Sequence, residues 1–193
     1  MKLLLAMTDK GVKHFTADDI AAIFKLDNPP DWLATAHSNA KTAAEAAAII
    51  FIHSACENAV FQLIKLLATY DPEPWNQFIA EKKVAFKDVS PTTVEQIRDG
   101  LLKKYLEDLE KESFPKKIKT LFTVLKPTKG VADVIPDFKF KCHDFEAIDD
   151  LRHQLTHEPK FSTPIQDAPA KLTYLVNTLR LLVTLAEQKY PGN

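Results

Sequence analysis

Residues 42–70, TAAEAAAIIFIHSACENAVFQLIKLLATY, decide the fold because they predict one long apolar helix. Alanine and leucine favour helix, and the run extends back to about Trp32. Prolines bound it on both sides, in Asn28-Pro29-Pro30 and in Asp71-Pro72-Glu73-Pro74. Apolar side chains occupy most sides of this helix, so we expect it to be central in a helical bundle.

The rest of the chain also predicts helices, from apolar residues at spacings of three and four and from capping residues. They cover about 16–26, 75–81, 90–109, 116–125, 144–157 and 169–189, and 126–141 predicts a loop with brief extended pieces. A chain of 193 residues can bury a core without disulfides or metals. We therefore expect an all-α, single-domain helical bundle over 1–193, with its core at about 32–190 and an N-terminal helical extension at 1–30.

Two of these helices have apolar stripes that predict their buried sides. In the helix at 90–109 the stripe consists of Val94, Ile97, Leu101, Tyr105 and Leu109. In the last helix we expect these residues to point inward: Leu172, Leu175, Val176, Leu179, Leu182 and Val183.

Charge and cysteine content constrain the function. The 25 basic and 26 acidic residues leave a formal charge of -1, so no overall field attracts nucleic acid and any RNA site must be local. Cys56 and Cys142 form neither a C-x-x-C motif nor a disulfide-rich pattern, which predicts a reducing, cytoplasmic location.

The apolar stretches predict neither a signal peptide nor a membrane span. The run at 1–7 ends too early, at Thr8 and Asp9, to be a signal sequence. His53 and Glu57 interrupt the longest apolar stretch before it reaches the roughly 20 residues of a spanning helix.

The helix at 144–157 carries the residues most suited to chemistry, in the run Arg152-His153-Gln154-Leu155-Thr156-His157. Arg152 falls within the arc of the residues that face the core, so its guanidinium must leave the core at an edge or find an anionic partner. His153 and His157 point together to another side, which Asp149 and Asp150 flank. The core-facing residues of this helix are Phe145, Ile148, Leu151 and Leu155.

Glu57 also needs a partner of opposite charge, because it lies among apolar residues of the central helix. One buried charge of each sign costs less than two unpaired charges. We therefore expect Glu57 and Arg152 to form an ion pair that fixes the two helices together.

The run from Ile148 to His157, and the upstream helix with its embedded Glu57, resemble the HEPN superfamily of all-helical nucleotide-binding domains. The family motif is an arginine, a polar residue (His153 here), three more residues and a histidine. In one branch a tyrosine two residues after the histidine is modified by a partner enzyme. Pro159 occupies that position here, so control by that modification is not expected.

The resemblance implies a metal-independent endoribonuclease that needs no cofactor and acts as a homodimer, with the two motif helices meeting across a cleft. It implies an acid-base role for His157, stabilisation of phosphate charge by Arg152, and phosphate binding or orientation by His153. It also implies a role in a toxin-antitoxin or defence system, with RNA as the substrate and a cognate antitoxin or regulatory protein as a further partner. Glu57, Asp149 and Asp150 would support the site.

Two other interpretations of the same residues stay open. Asp149, His153 and His157 form a ladder on one helix face that could bind a metal ion, with Cys142 and His143 nearby in sequence. Alternatively, the chain is a non-catalytic helical module that binds a nucleotide or another protein.

Overall fold

The computed structural model describes residues 31–82, 93–126, 135, 138–157 and 163–191, and its side-chain description begins at residue 34. Every regular element in these ranges is helical, which confirms the predicted all-α bundle. The elements are α1 (Asp31–Tyr70), a 3-10 turn (Glu73–Trp75), α2 (Asn76–Ile79), α3 (Val94–Glu110), α4 (Phe114–Leu125), α5 (Cys142–His157) and α6 (Ala168–Lys189). The predicted extension at 1–30 and most of the predicted loop at 126–141 lie outside the described residues.

Helix α1 organises the bundle because α4, α5 and α6 all pack against it. α6 runs parallel to α1: the Cys56 thiol lies 3.9 Å from the Leu175 carbonyl, and further along both helices the Tyr190 hydroxyl donates to the Asp71 carboxylate at 2.8 Å. The central position predicted for α1 is therefore confirmed for one side of it. That buried side includes Ala46, Ile49, His53, Cys56, Val60, Ile64 and Leu67, at spacings of three and four.

The opposite side of α1 corrects the expectation that apolar character means burial. Phe51 is 71% exposed, Leu66 64% and Tyr70 67%. On α6, Val176 and Val183 are also exposed, although the sequence predicted them to face inward. The physical reason is that these side chains lie on the outer sides of α1 and α6, whereas α4 and α5 pack on the inner side.

Local capping sets the start of α3. The Thr93 side chain accepts from the Gln96 amide, and the Gln96 side chain accepts from the Thr93 amide, which forms a capping box. The described helix therefore starts at Val94, while the predicted start at 90–91 lies outside the described residues. Val94 is exposed in this first turn, and Leu102, which the predicted stripe omitted, is buried.

Within the described residues, Ala34–Tyr70 of α1 is long and apolar enough to cross a membrane by length and composition, with a mean hydropathy of 1.5 over an 18-residue window. This finding differs from the expectation that His53 and Glu57 break up the apolar stretch. Both residues have partners on neighbouring helices, described next, and α1 continues through them without a break.

Candidate active site

The histidines of the motif meet on the surface of α5. His153 and His157 are one helical turn apart, and both are exposed. Their ring centroids lie 4.4 Å apart with the planes inclined by 52°. Asp150 is exposed on the same helix. The structure therefore brings the two histidines together as the sequence predicted, and it offers two imidazoles to a ligand.

Arg152 lies at the edge of the core with its side chain 27% exposed, which agrees with its position on the helical wheel. One of its terminal nitrogens lies 3.5 Å from an Asp149 carboxylate oxygen, a long contact for a hydrogen bond. Its Nε is buried and has no hydrogen-bond partner among the described residues. A guanidinium carries several N–H donors, so Arg152 retains some that could bind an anion.

Asp149 connects Arg152 to the central helix. His53 Nε2 lies 2.8 Å from the Asp149 Oδ1 that contacts Arg152. An ionised carboxylate only accepts hydrogen bonds, so Nε2 must carry the hydrogen. The hydrogen bond from His53, together with the positive charge of Arg152, lowers the pKa of Asp149 even though burial opposes this. Asp149 is therefore held as an anion beside the arginine.

His53 is the site residue that sequence reasoning missed. It is fully buried, and its ring meets the Phe114 ring edge-on at a centroid distance of 5.0 Å. The sequence treated it only as a polar interruption of an apolar helix. Its spacing was the available signal, because His53 lies four residues before Glu57, which places two polar groups on neighbouring turns of one side.

The predicted Glu57–Arg152 ion pair is wrong. Glu57 accepts instead from Lys117 of α4, with Nζ 2.6 Å from Oε1. The Lys117 side chain is only 5% exposed, and its ammonium lies 5.8 Å from the centre of the Phe61 ring. Since α4 reaches Glu57 while α5 contacts α1 one turn earlier, the acid and the motif arginine have different partners.

A third contact joins α4 directly to α5 at the surface. Lys119 donates to Glu146 at 2.8 Å, and this bond, followed by one from the Cys142 thiol, lowers the pKa of Glu146. Polar contacts thus link α1, α4 and α5 pairwise, and they fix the motif helix in addition to its apolar side.

The predicted metal ladder has no free acidic member, because Asp149 is engaged by His53 and Arg152. Within the described ranges, no group of three His, Cys, Asp or Glu side chains is placed to hold a metal ion. Cys142 donates to Glu146 instead, and burial raises the pKa of its thiol. Of the three residues of the ladder, only His153 and His157 thus remain as possible metal ligands.

A groove of about 370 Å³ lies beside the motif on the same helix. Gln154 and Leu155 are among its α5 residues, and Thr163, Ile165 and Lys171 are among those that line the rest. Gln154 follows the first motif histidine in sequence, so the groove and the histidines occupy neighbouring parts of the α5 surface.

We expect Asp149→Asn to remove an acid-sensitive part of the stability. Because the pKa of Asp149 is lowered in the folded protein, its ionised carboxylate stabilises the fold. This stabilisation is complete above the ordinary aspartate pKa of about 3.9, and it is lost as the pH falls through the lowered pKa. The variant should be less stable than wild type by about 1 kcal/mol at neutral pH. Urea unfolding at several pH values should show this difference shrinking below about pH 4. A difference that is the same in acid and at neutral pH would contradict this role for Asp149.

Comparison of the chain with models of known protein families, with curated proteins and with solved structures finds no match. The resemblance to the HEPN superfamily therefore stays a prediction from the motif and the upstream helix.

Proposed function

We propose that this protein is a metal-independent endoribonuclease of HEPN type that acts as a cytoplasmic homodimer. The observation that supports it best is the exposed imidazole pair of His153 and His157 on α5. On the same helix, Arg152 contacts Asp149, which is itself bonded to the buried His53. Imidazole can give and take protons near neutral pH, and guanidinium suits phosphate oxygens.

The proposed reaction is a transesterification at phosphorus. The ribose 2′-oxygen attacks the adjacent phosphorus as its proton is removed, the bond from phosphorus to the 5′-oxygen breaks, and that oxygen takes up a proton. His157 supplies acid-base catalysis, His153 binds or orients the phosphate, and Arg152 stabilises the charge on the non-bridging oxygens. The products are a 2′,3′-cyclic phosphate and a 5′-hydroxyl.

Dimerisation would complete the site. At about 100° per residue, Arg152 and His157 are separated by roughly 140° around α5, so one protomer alone would not direct both at one phosphate. A two-fold contact that brings His157 of one protomer near Arg152 of its partner would do so. The proposed biological setting, a toxin or defence nuclease restrained by a cognate antitoxin or regulatory protein, rests on the resemblance alone.

The same angular separation favours one alternative, a non-catalytic module that binds a nucleotide or a protein through the polar side of α5. Arg152, whose buried Nε has no partner among the described residues, could bind a phosphate without cleaving it. A rise in melting temperature with mononucleotides, together with intact RNA, would support this alternative.

A DNA oligonucleotide that contains a single ribonucleotide tests the proposed chemistry. In excess EDTA we expect one cut, directly 3′ of the ribonucleotide, and a product whose mass is that of a 2′,3′-cyclic phosphate. The all-DNA oligonucleotide should remain intact because it lacks the 2′-hydroxyl. Cleavage of the all-DNA strand, or products that carry a 3′-hydroxyl, would contradict the proposal.

A further inference from the structure

The outer sides of α1 and α6 form one apolar surface, which we call the α1–α6 face. The two helices lie side by side and parallel. Exposed apolar residues are common when scattered, but an aligned set over two adjacent helices is typical of a contact surface. The face consists of Phe51, Leu66 and Tyr70 from α1 and Val176 and Val183 from α6, all of them exposed.

The α1 half of this face contains no charged residue. A groove of about 570 Å³ runs between α1 and α6 at this surface, and Leu66, Tyr70, Val183 and Glu187 are among the residues that line it. Such a surface favours an apolar partner along α1. The exposed residues of α1 from residue 44 to residue 70 are Ala44, Ala47, Phe51, Ser54, Ala55, Asn58, Gln62, Leu66, Thr69 and Tyr70.

The α6 half adds two opposite charges at defined positions. Arg180 lies three residues before Val183 and Glu187 four residues after it, so all three share the exposed side of α6. Neither Arg180 nor Glu187 has an ion-pair partner among the described residues. The two charges lie about 10 Å apart along the helix axis.

We propose that the α1–α6 face binds a second copy of this chain, with the two α6 helices antiparallel about a two-fold axis beside Val183. A two-fold contact makes each interaction occur twice, with the two protomers exchanged. The midpoint between Arg180 and Glu187 falls next to Val183, so Arg180 of each protomer faces Glu187 of the other. Because the surface is complementary in charge to itself, a second copy is the occupant that it fits.

The size of the face suits a weak dimer. The axis beside Val183 lies level with residues 64 and 65 of α1, because the contacts of Cys56 with Leu175 and of Asp71 with Tyr190 set the register of the two helices. The part of α1 that faces its own copy therefore runs from about residue 58 to residue 71, a length of about 20 Å, and Phe51 lies outside it. Two packed helices are roughly 20 Å wide, so the projected area is about 400 Å², about half of the roughly 800 Å² that each partner contributes to a standard interface.

This contact is separate from the proposed nuclease site. His53, which connects α1 to the motif helix, lies on the buried side of α1, whereas Phe51 and Leu66 lie on the outer side. The inference therefore does not depend on RNA cleavage. A chain that used both this face and the proposed cleft would form a larger assembly, such as a tetramer.

Charge exchange on α6 tests the contact, with the molar mass of the full chain in solution as the readout. Arg180→Glu or Glu187→Arg alone should weaken association roughly tenfold or more, because each places like charges opposite one another twice. An equimolar mixture of the two single variants, and the double variant, should both regain the wild-type mass, since opposite charges face each other again. Lys103→Glu on the exposed side of α3 is the matched control and should leave the mass unchanged.

A wild-type chain that is monomeric would overturn the proposal, as would single variants that keep the wild-type mass. Loss of association without recovery in the mixture would also overturn it, because the proposed pairing requires recovery. A membrane is the competing occupant, since α1 passes the length and composition test for a span. Binding of a monomeric wild type to phosphatidylcholine vesicles, abolished by Leu66→Asp, would assign the face to lipid instead.

Discussion

His157→Ala should reduce RNA cleavage by at least about a hundredfold, because general acid-base catalysis contributes a factor of roughly 10² to 10⁴. His157 is exposed in the last turn of α5 and lies near the His153 ring, so its loss should leave the fold intact. Single-turnover rates on a labelled RNA measure the activity, and circular dichroism of both proteins checks the fold.

Arg152→Lys separates charge from geometry in the same assay. Lysine keeps the positive charge but not the planar fork of donors, so we expect a loss of about tenfold to a hundredfold. His143→Ala is the matched control, because His143 is another exposed histidine of α5 and lies in its first turn, away from the motif. If His143→Ala and His157→Ala lowered the cleavage rate equally, the acid-base role assigned to His157 would be wrong.

Glu57→Ala should destabilise the protein by about 3 kcal/mol, the second large effect that we expect. The substitution leaves the Lys117 ammonium buried without its anionic partner, and breaking a buried ion pair from one side costs about 3 to 5 kcal/mol. The lower end of this range applies because the Glu57 side chain is itself 27% exposed. Urea unfolding of both proteins measures the difference in the free energy of unfolding.

Lys117→Met removes the buried positive charge itself, whereas Glu57→Ala removes its partner. Methionine has a similar volume and carries no charge, and the partly exposed Glu57 could turn toward water, so we expect a loss of only about 1 kcal/mol. Glu146→Ala is the surface control, since its pair with Lys119 is exposed and should contribute little to stability. If Glu57→Ala were no more destabilising than Glu146→Ala, the buried pair would not hold α1 to α4.

The helices were predictable from the sequence because local signals define them. Prolines lie near the end of α1 and the start of α4, and apolar spacing located α5 and α6 close to their described bounds. The meeting of His153 and His157 was equally predictable, since their spacing of four residues fixes it within one helix.

The contacts between helices were not predictable, because they depend on which helix covers each turn of α1. Glu57 and Arg152 each required a partner, but nothing in the sequence places α4 over Glu57 and α5 over His53. Lys117 illustrates the difficulty. It resembles the solvated lysines beside it in the run Lys116-Lys117-Ile118-Lys119, yet it alone of those three lysines is buried.

The exposed apolar residues have a related explanation. Val176 and Val183 continue the apolar stripe of α6 beyond the width that the described bundle buries. A core residue and an interface residue have the same pattern in sequence, so only the packing of α6 against α1 separates them.

Incubation of a labelled mixed-sequence RNA with purified wild-type protein in excess EDTA tests the central claim most directly. We expect cleavage that persists without metal ions and is lost in folded His157→Ala and Arg152→Ala proteins. Intact RNA after incubation with a folded, dimeric wild type would contradict the nuclease proposal and favour a binding module. Activity that both variants retain would show that cleavage does not come from this site.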